Sequence, residues 1–243
     1  MKHAKPLAFI DSGVGGIPYL AHLRTRLPGA PLVYVADNLN FPYGPKSESE
    51  IRQGVLAMTR RLLERYRPEL VVVACNTASM LALEALRAEF DIDFVGVVPA
   101  VKPAALHSRA RSIGVMATEL IGAIERDPFM DDAGNYRRLL DDIGTRFAAE
   151  GVDTIVLGCT HFLMLKPELL AHFGNGFTIL DSREGVTNRT LHLLEEHGCL
   201  DDYRALEAGQ AGPSVFHLTA DIQGPSVYER VAGAYGLQFG GTL

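Results

Sequence analysis

Residues 70–79 read Leu70-Val71-Val72-Val73-Ala74-Cys75-Asn76-Thr77-Ala78-Ser79, and the fold follows from how this stretch is taken. An unbroken apolar run, mostly β-branched, suits a strand buried on both faces, as in a parallel sheet. The small polar residues after it suit a turn and the N-cap of a helix beginning near Met80. Cys75 then stands at the carboxyl end of a central strand, where open α/β sheets bind their ligands. The pattern recurs later, where Thr154-Ile155-Val156-Leu157 runs into Gly158-Cys159-Thr160-His161. Each half of the chain therefore offers one thiol at a strand end. A single cysteine after an apolar strand is most often a small buried hydrophobe. Two in matching contexts, one followed by Asn-Thr and the other by Thr, favour a site. Cys199, in His197-Gly198-Cys199-Leu200, has no such context and reads as structural.

A chain of 243 residues allows one large α/β domain or two smaller ones. Hydrophobic residues make up 47%, ample for a core, and the net charge is −6 with no basic run, which argues against a nucleic-acid surface. No apolar run approaches the roughly 20 residues that span a bilayer. The N-terminus enters a strand without a long apolar leader or cleavage site, so the expected location is the cytoplasm. Three widely spaced cysteines make neither a disulfide framework nor a Cys-x-x-Cys zinc site.

Leu7 to Ile10 reads as a short buried strand ending at Asp11-Ser12-Gly13-Val14-Gly15-Gly16, whose glycines permit tight turning and close approach to a ligand. The helix that follows, about Ile17 to Arg26, aims its first N–H groups at the same place. This is not the dinucleotide fingerprint, because the glycine spacing differs and Asp11 would repel a pyrophosphate. Asp11 fits better as a group that positions an ammonium or tunes a base. Leu32 to Ala36 is the second strand, followed by a turn-rich loop containing Pro42-Tyr43-Gly44. Ser47 to Tyr66 is a helix, with Ser47 and Glu50 in capping-box spacing. The Cys75 strand and its helix, to about Phe90, lead to a strand over 93–98. The segment Pro99-Ala100-Val101-Lys102-Pro103 marks the crossing into a second domain. There a strand over 112–117 ends at Thr118, and a helix runs from Asn135 to Glu150. After Cys159, Leu163 to Phe173 reads as one helix and Phe177 to Leu180 as a strand. Asp181-Ser182 then cap a helix to about His197. The tail offers a strand over 214–219 and a helix over 228–235. Strands alternating with helices give an α/β fold with mainly parallel sheets. From Asp11 to Cys75 is 64 residues, but from Ala117 to Cys159 only 42. The second half thus lacks about one strand-and-loop unit, the counterpart of 32–44. Its substitute, Glu119 to Tyr136, reads as irregular and turn-rich.

Taken in order, Asp11 to Gly16, Pro42-Tyr43-Gly44 with Lys46-Ser47, Cys75 to Ser79, Pro99 to Pro103, Gly114-Val115-Met116-Ala117-Thr118 and Gly158-Cys159-Thr160-His161 resemble the motifs of glutamate racemases, in the cofactor-independent Asp/Glu racemase superfamily. The resemblance spans nearly the whole chain. It implies two pseudo-symmetric α/β domains facing each other, with the active site in the cleft between them. The first is built from 1–98 plus 188–243 and the smaller second from 99–187. It implies interconversion of L- and D-glutamate, the latter a peptidoglycan precursor, without cofactor or metal. Glutamate is then the small-molecule partner, nucleic acid and membrane are not partners, and a homodimer is the assembly to consider. The chain departs from the family between Thr118 and Cys159. Members carry a further strand there, leading to a Val-Glu-x-Gly-like sequence whose glutamate is assigned a part in catalysis. Nothing from Glu119 to Tyr136 matches it, and Phe162 stands where the family commonly has Tyr.

Inverting an α-carbon means removing a proton from one face and returning one to the other. Two groups do this without migrating, one as base and one as acid, their roles exchanged by direction. Thiols suit both roles, with an unperturbed pKa of about 8.5 that neighbours bring toward neutrality. By resemblance, Cys75 serves one enantiomer and Cys159 the other. Asp11 and His161 are the supporting acid–base candidates. Ser12, Tyr43, Gly44, Asn76, Thr77, Thr118 and Thr160 supply hydroxyls, amides and N–H groups for the substrate's carboxylates and ammonium. No lysine stands at a clear strand end for a pyridoxal phosphate Schiff base. Other readings are a racemase of aspartate or a related acidic amino acid, a cysteine hydrolase that leaves one thiol unexplained, and an amino-acid-binding homologue weakened by the short 119–136 segment. In that last case exchange at Cys159 suffers more than at Cys75, since its supporting residues are the ones cut back.

Overall fold

The computed structural model describes residues 4–117, 121–129, 133–207, 214–222 and 226–243. The chain divides into two compact units, Met1–Val97 with Arg183–Leu243, and Val98–Ser182. The first unit opens with β1 (Leu7–Asp11), α1 (Ile17–Arg26), β2 (Leu32–Ala36), α2 (Glu48–Tyr66), β3 (Leu70–Val73), α3 (Asn76–Leu81), α4 (Leu83–Glu89) and β4 (Phe94–Gly96). The second holds α5 (Val101–His107), β5 (Ile113–Met116), α6 (Ile121–Arg126), α7 (Ala133–Ala149), β6 (Thr154–Leu157), a 3₁₀ turn at Thr160–Leu163, α8 (Lys166–Phe173) and β7 (Thr178–Leu180). The chain then returns to the first unit with α9 (Arg183–Glu196), α10 (Leu200–Arg204), β8 (Val215–Leu218), α11 (Val227–Ala234) and β9 (Gln238–Thr242).

The first unit's sheet has the order β4-β3-β1-β2-β8-β9, and every pairing is parallel. The apolar runs of β1, β2 and β3 are buried throughout, as a parallel sheet covered on both faces requires. Alternation sends Ala8, Ile10, Val33, Val35, Val71 and Val73 to one face, against Ile51, Val55, Met58 and Leu62 of α2. On the opposite face α1 and α9 lie side by side, burying Ile17, Leu20 and Leu23 with Leu193 and Leu194. The capping box that starts α2 is formed: Ser47 Oγ accepts from the Glu50 N–H and Glu50 Oε2 from the Ser47 N–H.

The second unit's sheet is β5-β6-β7, again parallel. Val156 of β6 packs with Ala104 of α5 and with Ala100 just before that helix. The ring of Phe147, from α7, fills the space where a Cβ at Gly114 would sit. No helix among the described residues is long and apolar enough to cross a membrane.

The structure corrects four local expectations. The helix after Cys75 begins at Asn76 rather than Met80, because Cys75 itself is the extended N-cap residue. The single helix expected over Leu163 to Phe173 is a 3₁₀ turn and then α8, which restarts with Pro167 in its first turn, where a missing N–H does no harm. The segment 119–136 is not wholly irregular, since its described part holds α6, a turn and the start of α7. Strand β9 was not anticipated, because Gly240 and Gly241 depress strand propensity. Gly240 is needed there, since a Cβ at that position would run into the His217 ring of β8.

Candidate active site

Strands β1 and β3 are adjacent and in register from Leu7↔Leu70 to Ile10↔Val73, so Asp11-Ser12 and Ala74-Cys75 emerge side by side. The Ala74 N–H donates to Ile10 O at 2.7 Å and locks this arrangement. Cys75 is buried and extended, φ −134° and ψ 123°. Its thiol donates to Ser12 Oγ at 3.7 Å. Asp11, 1% exposed, accepts the Ser12 N–H at 2.6 Å and the Ser12 hydroxyl at 3.3 Å on Oδ1. The carboxylate therefore reaches the thiol through the hydroxyl between them. Tyr34, from β2, places its hydroxyl 2.8 Å from Gly13 O and 3.3 Å from Asp11 Oδ2.

Tyr43 is buried in the same cluster as Cys75, its hydroxyl donating to Asp37 Oδ2 at 2.7 Å. Burial first, then Asp37, Cys75 and Asp11, push its pKa well above the ordinary value, which keeps it a proton donor. Asp37, buried just past β2, also accepts from Thr219 Oγ1 at 2.7 Å and from the Asn40 amide. Asn76 and Thr77 sit half-buried in the first turn of α3. The Asn76 amide oxygen is buried with no hydrogen-bond partner among the described residues. Gly44 lies on an exposed loop.

The second unit repeats the motif with other partners. Strands β5 and β6 run in register to Met116↔Leu157, and the Gly158 N–H donates to Met116 O at 2.9 Å. Cys159 follows, half-buried, with φ −134° and ψ 144°, nearly the Cys75 conformation. Its Sγ lies 3.6 Å from His161 Nδ1. His161 is 1% exposed, and its Nε2 lies 2.8 Å from Oε2 of Glu125, a buried residue of α6. Burial alone would lower the His161 pKa, but hydrogen bonds to Cys159 and Glu125 and the charge of both outweigh it and raise it to about 10. A protonated imidazole thus stands beside the thiol. Thr160 is buried next to it, and Thr118 lies outside the described residues.

The structure gathers Asp11, Ser12, Tyr43 and Cys75 in the first unit and Cys159, Thr160 and His161 in the second. Sequence reading missed Glu125, Asp37, Tyr34 and Thr219. Asp37 had a legible signal, an aspartate directly after β2, one residue beyond the position that pairs with Asp11. Glu125 had none, since Ile121-Gly122-Ala123-Ile124-Glu125-Arg126 carries no motif.

Residues 19–127 match the profile of the Asp/Glu/hydantoin racemase family. A glutamate racemase of Sphingopyxis alaskensis is 40% identical over 223 residues, 78% of this chain and 82% of that protein. The glutamate racemase of Treponema pallidum is 35% identical over 266 residues, 97% of this chain and 96% of that one. The chain belongs to the glutamate racemase family. Its relatives are isomerases with two α/β domains, the fold class read from the sequence. The Escherichia coli glutamate racemase, crystallised with L-glutamate and the activator UDP-MurNAc-Ala, superposes with a TM-score of 0.79 at 32% identity, over 99% of this chain and 98% of that one. The Thermus thermophilus glutamate racemase, in complex with β-chloro-D-alanine, gives 0.68 at 27% identity, over 100% and 97%. The Treponema alignment, at 266 positions, is longer than this 243-residue chain, so the chain is gapped against that relative.

Proposed function

We propose that this protein interconverts L- and D-glutamate by acid–base exchange at the α-carbon between Cys75 and Cys159, without cofactor or metal, and so supplies D-glutamate for peptidoglycan precursors. The observation that carries the reading is the matched pair of thiols. Each follows a parallel strand, each holds the same extended N-cap conformation, and each has its own proton-handling neighbours. In one direction the Cys75 thiolate takes the α-proton while the Cys159 thiol delivers one to the other face of the carbanion. In reverse the roles exchange. Asp11 acts on Cys75 through Ser12. His161 stands against the Cys159 sulfur to exchange its proton, and Glu125 is a positioning residue that fixes its ring. The unpartnered Asn76 oxygen accepts from the substrate ammonium. Ser12, Tyr43, Thr77, Thr118, Thr160 and the Gly44 backbone donate to its carboxylates.

Residues 1–98 with 188–243 form the Cys75 domain in this reading, and 99–187 the Cys159 domain. The activity belongs in the cytoplasm, and the assembly is a homodimer, which sedimentation checks. The deciding experiment incubates chelator-dialysed protein with L-glutamate in D₂O and follows both products. D-glutamate by chiral chromatography, with deuterium at Cα, is expected. Absence of both products would end the racemase reading. Faster turnover of aspartate than of glutamate would move the substrate to the shorter acid.

A further inference from the structure

At the amino end of the same first-unit sheet, the end away from Cys75, a second cluster of chemistry-bearing side chains has no part in the reaction above. Glu69 directly precedes β3 and Asp93 directly precedes β4, while His197 directly follows α9. Gly198, at φ +69°, turns the chain, and the Cys199 N–H returns to Leu194 O at 3.0 Å. This turn brings His197 and Cys199 onto the same carboxylate. The Glu69 carboxylate, a His197 ring nitrogen and the Cys199 sulfur all lie within 4.8 Å of one another.

We propose that Glu69, His197 and Cys199 bind one zinc-class divalent cation that ties the α9–α10 turn to the start of β3. The hydrogen bonding around His197 argues for it. His197 Nε2 lies 2.8 Å from Asp93 Oδ2, so it carries a proton and donates there. That is the carboxylate–histidine pairing that fixes the tautomer of metal-bound imidazoles. On the other side of the ring Nδ1 lies 2.8 Å from Glu69 Oε1, so nitrogen and carboxylate hold a cation between them. A proton serves as that cation, but it does not account for a third donor, the Cys199 sulfur, on the same spot. Lys5 engages the other carboxylate oxygen, Oε2, at 3.3 Å and leaves Oε1 for the ion. The Cys199 thiol donates at 3.5 Å to Leu194 O, a weak bond to give up.

One nitrogen, one sulfur and one carboxylate oxygen select zinc over magnesium or calcium. Bond lengths of about 2.0–2.3 Å place such ligand atoms roughly 3.3–3.7 Å apart, within reach of small side-chain rotations. The fourth position opens on a cavity of about 510 Å³ lined by Lys5, Glu69, Arg87, Asp93 and His197, where water completes the shell.

The test titrates Zn²⁺ into chelator-dialysed protein by calorimetry and follows Tm, with Co²⁺ as the spectroscopic probe. The background is the Cys75→Ala/Cys159→Ala double variant, so that Cys199 is the only thiol. One equivalent should bind, Tm should rise, and cobalt should give a near-ultraviolet thiolate charge-transfer band. Cys199→Ser should abolish the band and the Tm rise. Asp93→Asn should weaken binding about 10–100-fold. Should Cys199→Ser fail to fold, Glu69→Gln must weaken Zn²⁺ binding in its place. Absence of stoichiometric binding would leave a proton as the only cation between Glu69 and His197 and overturn the proposal. Binding that survives both Cys199→Ser and Glu69→Gln would be adventitious and overturn it as well.

Discussion

The two units place a thiol in the same backbone setting and then support it differently. In the first, β1 is flanked by β3 and β2, and all three strands are buried. Strand β2 gives Tyr34 to Asp11, and the loop beyond it supplies Asp37 and Tyr43. In the second, β5 corresponds to β1, β6 to β3 and β7 to β4, and among the described residues β5 pairs with β6 alone. Among the described residues no strand stands in the place that β2 takes beside β1, so β5 is an edge strand. Loss of a central strand would leave two rows of backbone groups unpaired, whereas loss of an outer one leaves a single edge to be solvated or covered. Val115 on β5 is 49% exposed. Here the short helix α6 delivers Glu125 to His161. A strand-end thiol can thus draw its proton chemistry from a hydroxyl and carboxylate on the neighbouring strand, or from an imidazole and carboxylate supplied by a turn and a short helix.

The sharpest break of this comparison removes each thiol in turn. Cys75→Ala and Cys159→Ala should each lower racemisation by about 10²–10⁴-fold, the usual contribution of a positioned acid or base. Each variant should retain deuterium exchange better from one enantiomer than from the other, with the preference reversed between them. Near-normal turnover in either variant would remove the two-thiol assignment. The same enantiomer preference in both would show that the thiols are not divided between faces.

Next in size is Glu125→Gln, which keeps the shape of the pair and removes its charge. A drop of about 10–100-fold in kcat is expected, smaller than for a thiol because Glu125 acts through His161. KM should change little, and the basic limb of the pH–rate profile should shift to lower pH. A loss confined to KM would place Glu125 in substrate binding instead. The same variant tests stability. The folded-state pKa of His161 is about 10 against about 6.5 in the unfolded chain. Below about 6.5 both states hold the proton and the stabilisation is complete. Between there and about 10 only the folded state holds it, so stability falls as pH rises. Tm of the unmodified protein should therefore decline across that window, and the Glu125→Gln curve should be flatter. Parallel curves would show that the pair does not hold the His161 proton.

Much of the first unit was legible because its evidence is periodic or local. Apolar runs mark β1, β2 and β3, and the capping box marks α2. The glycines after Asp11 mark tight turning, and the neighbours that leave no room for a Cβ at Gly16 are Ala74 and the Asp11 carboxylate. The second thiol was legible for the same reason, since Thr154 to Leu157 repeats the pattern before Cys159. Glu125 was not, because its role depends on where a short helix carries it and not on any spacing to His161, 36 residues away. Strand β9 was hidden by Gly240, which its close approach to His217 demands, and by Gly241, whose φ of +69° favours glycine. The boundary at Asn76 was misplaced because a cysteine is not an expected N-cap residue.

The smallest effect compares two glycines that accompany the thiols. Neither has a positive φ, so only space decides what a Cβ does at each. At Gly16 it would lie 2.7 Å from both Cβ and O of Ala74 and 2.9 Å from Asp11 Oδ2. Ala74 is held by its bond to Ile10 at the end of a fully paired strand, so the backbone carbonyl cannot withdraw without shifting β3. At Gly158 the nearest atom would be Val115 Cγ1 at 2.8 Å, then Met116 O at 3.1 Å. Val115 is half-exposed on β5, which among the described residues is paired on one side only, and it can turn aside. Gly16→Ala should therefore destabilise by about 1–3 kcal/mol, as overpacking does, and Gly158→Ala by less than about 1 kcal/mol. Urea midpoints at unchanged m-value measure both. Gly16→Ala should also displace Asp11 and slow exchange at Cys75, leaving exchange at Cys159 nearer normal. Equal destabilisation by the two substitutions would mean that the β5 edge is as constrained as the paired strands of the first unit, and the contrast between the units would then lie in their side chains alone.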